Sequence, residues 1–257
     1  MKIIVSPAKK MTDQEDFFEW DQLPVFLDQA NAIKDYLKAL TYDELKRLWQ
    51  CNDKIAHLNV ERLQNMDLHK GLVPALLAYE GLQYQYMAPQ VFDLDQWAYV
   101  RKHLVILSGF YGYLRPTDGV VTYRLEMGAR FDPPLAGSKN LYQYWDRRIY
   151  EELTSGGSTI VNLASKEYSQ AIEKFLTVND RLITCVFGNE IEVDGELKVK
   201  VKATEAKMAR GEMVRYLAEH QITDPALMKG FSSLNYRFSE KHSSPNRYVF
   251  IKGSSIK

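Results

Sequence analysis

The sequence contains little cysteine and carries no net charge, and both features restrict its function. Only two of its 257 residues are cysteines, Cys51 and Cys185, and they lie far apart. This excludes a disulfide framework, so we expect two buried free thiols. Lys+Arg and Asp+Glu number 33 each. Because a protein that coats nucleic acid over its whole surface is usually basic, a nucleic-acid role here needs a local basic patch.

Long apolar runs and the common nucleotide or metal motifs are also missing. No stretch reaches the ~18 apolar residues of a membrane helix, and the run after Met1 is too short for a signal peptide. The five histidines form no metal-spaced pair, and there is no Walker A loop, dinucleotide fingerprint or nucleophile elbow. We therefore predict a cytoplasmic protein with no membrane association, no cofactor and no metal.

Short apolar runs predict buried strands at residues 3–5, 103–107, 159–163, 182–187 and 248–251. Such continuous runs suit a sheet covered on both faces, which is mainly parallel. Helical patterns lie between these runs. One predicted helix begins near Pro24, and a Thr41-x-x-Glu44 capping box predicts the start of another over 41–50. Further helices are predicted at 53–64, 72–79, 95–102, 140–153 and 204–219. We predict one α/β domain over residues 1–257, with a mixed, largely parallel central sheet flanked by helices.

An alternating segment at residues 190–202 predicts a β-hairpin. A two-residue turn at Asp194-Gly195 sets Val193 opposite Glu196, whereas a three-residue loop sets Val193 opposite Leu197. Since side chains alternate between the faces of a strand, the apolar pattern favours the three-residue loop. One face then carries three lysines, Lys198, Lys200 and Lys202.

Three of the predicted strands are followed by polar loops, at residues 6–10, 108–118 and 162–168. Ligands bind at the carboxyl ends of parallel strands, so we expect these loops to converge on a site. The alternative is that they are ordinary strand-to-helix turns. The pocket residues predicted on this basis are Ser6, Ser108, Asn162 and Ser165.

Three side chains are candidates for catalysis, although the sequence does not decide whether the chain is an enzyme. Lys9 could anchor an anion or act as a nucleophile, or it could be a solvated lysine. Glu126 lies two residues from Arg124, a spacing that suits a positioned acid or a structural ion pair. Glu167 could contact a ligand or complement a helix dipole.

Basic and aromatic residues concentrate in the same regions as these motifs. Lys207 and Arg210 are i, i+3 neighbours on a predicted helix and project from one face of it. The next residue, Gly211, is unfavourable inside a helix, which indicates that another backbone or a phosphate group comes close to the helix there. The tyrosines concentrate between residues 79 and 168; Tyr111 and Tyr123 could stack on bases, or simply pack. An acidic stretch at residues 11–28 balances these bases, so charge is segregated along the chain.

Seven ordered motifs together resemble the bacterial YaaA family of peroxide-stress proteins. They are Ser6-Pro7-Ala8-Lys9, Leu107 to Gly112, Leu114-Arg115-Pro116-x-Asp118, Tyr123 to Gly128, Leu141-Tyr142-x-x-Trp145, Asn162-Leu163-Ala164-Ser165-x-Glu167-Tyr168 and Lys207-x-Ala209-Arg210-Gly211. The resemblance implies a cytoplasmic protein that limits hydrogen peroxide damage and keeps free iron low. It also implies DNA binding through a positively charged cleft on an unusual α/β fold, more distantly similar to the uracil-DNA-glycosylase fold.

Three functional hypotheses follow. The first is a monomeric stress protein that binds double-stranded DNA without sequence preference, using Lys9, Arg115, Arg124, Lys207 and Arg210 for phosphates and Tyr111 or Tyr123 for stacking. The second is a glycosylase- or lyase-like enzyme acting on a nucleobase or nucleotide at the same strand ends. The third is an adaptor whose acidic residues 11–28 recruit a partner protein.

Overall fold

The computed structural model describes residues 1–13, 18–157 and 159–253. Its main sheet has eight strands, which are β1 (Lys2–Val5), β2 (Leu104–Ser108), β3 (Gly112–Leu114), β4 (Thr159–Leu163), β5 (Arg181–Val193), β6 (Glu196–Lys200), β7 (Tyr236–Phe238) and β8 (Arg247–Lys252). Their spatial order is β7-β8-β5-β4-β1-β2-β3, and β6 pairs with β5. Shorter antiparallel pairs join Lys10–Met11 to Tyr79–Glu80, Val73–Pro74 to Gly119–Val120, and Arg130–Leu135 to Ser138–Asn140.

The centre of the sheet is parallel, which confirms the predicted mixed α/β fold. Strands β2, β1, β4, β5 and β8 run in one direction, and β3 and β7 close the two edges antiparallel. Ile3, Ile4 and Val5 are fully buried, as is every residue of β2. Continuous apolar runs are stable here because helices cover both faces of the sheet.

Ten helices surround the sheet in the described part of the chain. They are α1 (Leu27–Ala39), α2 (Tyr42–Trp49), α3 (Asp53–Gln64), α4 (Ala75–Ala78), α5 (Leu82–Met87), α6 (Leu94–His103), α7 (Leu141–Trp145), α8 (Arg148–Thr154), α9 (Lys166–Glu173) and α10 (Ala203–Glu219). The predicted capping box is present, with the Thr41 side chain accepting the Glu44 N–H and the Glu44 side chain accepting the Thr41 N–H. Within residues 1–13, 18–157 and 159–253, no helix is long and apolar enough to cross a bilayer.

Two predicted helices are shorter than expected. At 72–79 only α4 is helical, because Val73 and Pro74 pair as a strand with Gly119–Val120. At 140–153 the chain breaks between α7 and α8, where Asp146 takes a positive φ of 43°. Long-range pairing and one backbone conformation override the helical pattern at these positions.

The hairpin of β5 and β6 has a two-residue turn, so the predicted register is wrong. Val193 pairs with Glu196 and not with Leu197. Asp194 and Gly195 both have positive φ, 55° and 78°, as a type I′ turn requires. Leu197 is 45% exposed, and most of β6 faces solvent. No core buries an apolar face of this hairpin, and the turn residues therefore decide the register.

Helix α5 packs directly on the backbone of α10 at Gly211. A β-carbon at Gly211 would lie 2.1 Å from the carbonyl oxygen of Gln83 and 2.9 Å from the Met87 nitrogen. No side chain fits between the two backbones at this point. Close packing therefore accounts for the glycine inside α10, even though glycine costs a helix interior ~1 kcal/mol relative to alanine.

We predict that Gly211→Ala destabilises the protein by about 1–3 kcal/mol, because the added methyl group forces α5 away from α10. Urea denaturation of the wild type and the variant measures the difference. Gly156→Ala is the matched control, since a β-carbon at Gly156 meets nothing within 4 Å. An unchanged free energy of unfolding for Gly211→Ala would contradict the close contact.

Candidate functional site

A pocket of about 480 Å³ lies where the parallel strands β1 and β4 end. Its lining comes from residues 6–10, 80–84 and 123–126, from Ser165, Glu167 and Tyr168, and from Lys207 and Arg210. Two of the three predicted strand-end loops therefore meet here. The third loop, 108–118, does not line the pocket, and the chain segment 123–126 takes its place.

Hydrogen bonds hold the two strand ends together. The Ser6 hydroxyl oxygen accepts the Ser165 N–H at 2.8 Å, and the two hydroxyl oxygens are 3.2 Å apart. The Tyr84 hydroxyl donates to the Ser6 carbonyl at 3.0 Å and so attaches α5 to the same point. Ser6 and Ser165 thus form a stable floor for the pocket, while α5 forms one of its walls.

A carboxylate between two cations lies on the opposite side. Glu126 Oε1 is 2.8 Å from Arg124 Nε and 3.4 Å from Lys9 Nζ. The Glu126 and Arg124 side chains are 17% and 11% exposed, whereas Lys9 is 69% exposed at the pocket mouth. The Arg124 contact is an ion pair without hydrogen-bond alignment, so both atoms retain hydrogen-bonding capacity. The arrangement can hold a polar ligand and can exchange a proton with it.

Glu167 has a structural partner. Its Oε1 accepts the Gly128 N–H at 2.9 Å, and its own carbonyl accepts the Tyr142 hydroxyl at 2.9 Å. Glu167 lies in the first turn of α9, where an acid also complements the helix dipole. Its carboxylate therefore fixes the turn that follows Glu126, although it also lines the pocket.

Lys207 and Arg210 supply positive charge that the fold does not neutralise. In the described part of the chain neither has a carboxylate partner, whereas Arg215 on the same helix lies 2.7 Å from Glu219. The Arg210 Nε is buried without a hydrogen-bond partner. Burial lowers the pKa of the Arg210 guanidinium, but an arginine stays protonated in proteins. A largely buried, unpaired charge is costly, and an anionic ligand relieves that cost.

Tyr123 lines the pocket, and Ser108 supports it from behind. The Tyr123 hydroxyl is 2.7 Å from both the Ser108 and the Tyr79 hydroxyls. Ser108 Oγ also accepts the N–H groups of Phe110 and Tyr111. Burial raises the pKa of Tyr123 to about 12, so this phenol stays neutral at physiological pH. Ser108 is fully buried and orients Tyr123 without contacting the pocket itself.

Three other predicted residues lie away from the pocket. Tyr111 is fully buried, and its hydroxyl accepts the Val121 N–H. Asn162 is buried and accepts the Ala164 N–H, which terminates β4. Arg115 Nε is 2.8 Å from Asp118 Oδ1, and its Nη2 donates to the Leu23 carbonyl. These three side chains stabilise the fold near the strand ends.

Gly109 and Gly112 explain why the 108–118 loop does not reach the pocket. Gly112 has a positive φ of 71°, and the chain turns back directly after β2 to form β3. A β-carbon at Gly109 would lie 2.6 Å from the Leu125 carbonyl oxygen. The space above Gly109 is therefore occupied by the 123–126 segment of the chain, which carries Arg124 and Glu126 into the pocket.

Sequence reasoning missed the contribution of α5. Gln83 and Tyr84 line the pocket, and the Gln83 amide nitrogen is buried with no partner among the described residues. The one signal in the sequence was Gly211, whose position inside a helix indicates close packing against another backbone. The sequence does not show which segment packs there.

No group of three or more His, Cys, Asp or Glu side chains suited to a metal ion occurs in residues 1–13, 18–157 and 159–253. Residues 14–17 of the acidic stretch lie outside the described residues.

Comparison with known proteins extends the similarity over the whole chain. The family model described as "Peroxide stress protein YaaA" matches residues 1–242. A UPF0246 protein of Desulfitobacterium hafniense is 51% identical over 257 residues and is covered completely, as is this chain. A UPF0246 protein of Lachnoclostridium phytofermentans is 49% identical, and the alignment covers 99% of this chain and 98% of that protein. A UPF0246 protein of Pediococcus pentosaceus is 50% identical, and the alignment covers 98% of each chain.

We predict that Asp118 makes stability fall as the pH rises. Its carboxyl group is fully buried, and burial raises its pKa to about 6, above the unfolded value of about 3.9. The folded state therefore holds this proton more tightly. Relative to Asp118→Asn, the free energy of unfolding of the wild type falls by about 2 kcal/mol between pH 4 and pH 7.

Chemical denaturation of both proteins at pH 4, 5, 6 and 7 measures this loss. A difference between the two that does not change with pH would show that Asp118 titrates in its ordinary range.

Proposed function

The chain belongs to the YaaA family of peroxide stress proteins, and from that premise we propose that it is a cytoplasmic protein that binds double-stranded DNA through the pocket at the strand ends. The observation that carries this proposal is the unpaired charge of Lys207 and Arg210 on one wall of the pocket. Lys9, largely exposed at the mouth, extends the same positive surface outward. Phosphate oxygens are the groups that lysine and arginine contact most often in DNA.

The same chemistry supports binding without sequence preference. Contacts to phosphates position a protein on DNA but carry no sequence information. Arg124 belongs to this surface only in part, because Glu126 already neutralises it. The net charge of zero is compatible with the proposal, since the positive charge is needed only where the backbone of the DNA passes.

A second candidate function is an enzyme that acts on a nucleobase or nucleotide. The observation that favours it is Glu126, a largely buried carboxylate held by Arg124 inside the pocket. A positioned carboxylate can accept or return a proton during cleavage of a glycosidic bond. Lys9, 3.4 Å from Glu126, would be the accompanying amine in a lyase reaction.

We predict that the double variant Lys207→Ala/Arg210→Ala binds duplex DNA at least tenfold more weakly than the wild type. Each phosphate contact adds about 0.9 to the slope of log affinity against log salt, so the slope should fall by about 2. Fluorescence anisotropy at several salt concentrations measures both quantities.

The charge-matched control is Arg215→Ala/Lys229→Ala, whose basic groups pair with Glu219 and Glu240 outside the pocket. It should leave both affinity and slope nearly unchanged. If the pocket variant behaves like this control, DNA does not bind at this surface.

We further propose that the protein protects cells from hydrogen peroxide and keeps intracellular free iron low. In a strain lacking its own homologue, the wild type should restore survival in peroxide and lower the chelatable iron measured by electron paramagnetic resonance. The Lys207→Ala/Arg210→Ala variant should restore neither, because its affinity for DNA is at least tenfold lower.

Glu126→Gln separates the two candidate functions in the same strain. It should protect cells like the wild type if DNA binding is sufficient. If it binds DNA normally and yet fails to protect, the enzymatic candidate is favoured instead, and mass spectrometry of treated DNA should then reveal the released product.

A further inference from the structure

Gln83 is an uncharged residue of the pocket whose side-chain hydrogen-bonding capacity is left unused, as it is at the charged residues Arg124, Glu126 and Arg210. Its side chain is 7% exposed, and its amide nitrogen has no hydrogen-bond partner among the described residues. A buried N–H donor without a partner destabilises a fold, and native proteins rarely retain one without a reason. Because Gln83 lines the pocket, a ligand that offers an acceptor atom there would satisfy the amide.

The packing of α5 on α10 brings the backbone of Gln83 against the part of α10 that carries Lys207 and Arg210. The Gln83 carbonyl lies against Gly211, the residue directly after Arg210. Lys207 is one turn earlier on the same helix and lines the same pocket. One wall therefore combines a neutral donor with two positive charges, which suits a ligand that has both an acceptor edge and an anionic group.

The rest of the lining suits a flat ring. Tyr84, Tyr123 and Tyr168 contribute aromatic surface, and the volume of about 480 Å³ is in the range of pockets that hold small organic ligands. A nucleobase has apolar faces that pack on aromatic rings and an edge of hydrogen-bond acceptors. Its attached phosphate supplies the anion.

We propose that the pocket takes a single nucleotide unit, with its phosphate at Lys207 and Arg210 and an acceptor of its base at the Gln83 amide. This proposal rests on the proposed function, since it concerns the same pocket. It adds that the pocket receives a base as well as the DNA backbone, and it assigns to Gln83 the selection of the base.

The shape of the surface favours a nucleotide that belongs to a strand. A second cavity of about 630 Å³ shares Arg210 with the first, so the two cavities adjoin at that side chain. Arg247 and Lys166, the latter paired with Glu173, line the second cavity. A strand with one base in the first cavity has room there for its neighbouring phosphate, whereas a free mononucleotide leaves the second cavity unused.

The first experiment measures small-molecule binding by isothermal titration calorimetry. The probes are the four deoxynucleoside monophosphates, the four deoxynucleosides and inorganic phosphate, added to the full chain. We expect at least one monophosphate to bind more tightly than its nucleoside and than phosphate. Gln83→Met should weaken the binding of that monophosphate about five- to tenfold, which is the effect of losing one hydrogen bond. The same variant should leave the binding of inorganic phosphate unchanged.

Gln85→Met is the matched control, because Gln85 is exposed on the same helix. It should change none of these affinities. Since Gln83→Met removes an unpartnered buried donor, its melting temperature should equal or exceed that of the wild type. A lower melting temperature would show that Gln83 serves the fold and would overturn its assignment as a base-selecting residue.

The second experiment tests a base within a strand. Duplex DNA with 2-aminopurine at a mismatch should brighten when the wild type binds, because an extruded base is no longer quenched by stacking. Gln83→Met should reduce the brightening and keep the duplex affinity within about twofold. If the duplex brightens but no mononucleotide binds, the pocket takes a base that belongs to a strand. If a mononucleotide binds but the duplex does not brighten, the pocket takes a free nucleotide. Both results support the assignment of the pocket to a nucleotide.

Two results separate the failure of this inference from that of the proposed function. If duplex DNA binds through Lys207 and Arg210 but no monophosphate binds and no brightening occurs, the pocket does not receive a base, and DNA binding stands. If duplex DNA does not bind at all, the proposed function fails. Monophosphate binding that depends on Gln83 would still support the pocket assignment in that case.

Discussion

The contact between Gly211 and the backbone of Gln83 determines the composition of the pocket wall. Because α10 has no side chain at this point, α5 lies directly on it, and Gln83 of α5 lines the same pocket as Lys207 and Arg210 of α10. A larger residue would separate the helices and leave Gln83 apart from Arg210. The same contact connects fold to function, since Tyr84 attaches α5 to the end of β1 through Ser6.

Local charge, rather than net charge, characterises this surface. Glu126 neutralises much of the charge of Arg124 and Lys9, while Lys207 and Arg210 have no carboxylate partner in the described part of the chain. An overall charge of zero keeps nonspecific attraction weak away from the pocket. Binding therefore depends on a few charged groups at one place. The Nε of Arg210 is buried, whereas Lys207 and Lys9 are exposed and are screened by salt as on an open surface.

The candidate site could be predicted where a motif directly follows a buried strand. Ser6, Lys9 and Ser165 reach the pocket because β1 and β4 are parallel neighbours, and their apolar runs already indicated such strands. Ser108 ends β2, Tyr111 lies in the turn after it and Arg115 follows β3, and none of the three reaches the pocket. The reason is a backbone turn at Gly112 and a distant segment that fills the space above Gly109, and neither is visible in the local sequence.

The sequence by itself determined the strands, most of the longer helices and the capping box at Thr41. Each of these depends on neighbouring residues or on the apolar content of a short segment. The turn residues Asp194 and Gly195 decide the hairpin register, and only the structure shows that Leu197 is exposed, so that burial does not override the turn. Only the tertiary structure decided the break at Asp146 and the place of Gln83 in the pocket. Burial and contacts between distant segments control these features, and a pattern of residues along one segment does not specify which partner will pack against it.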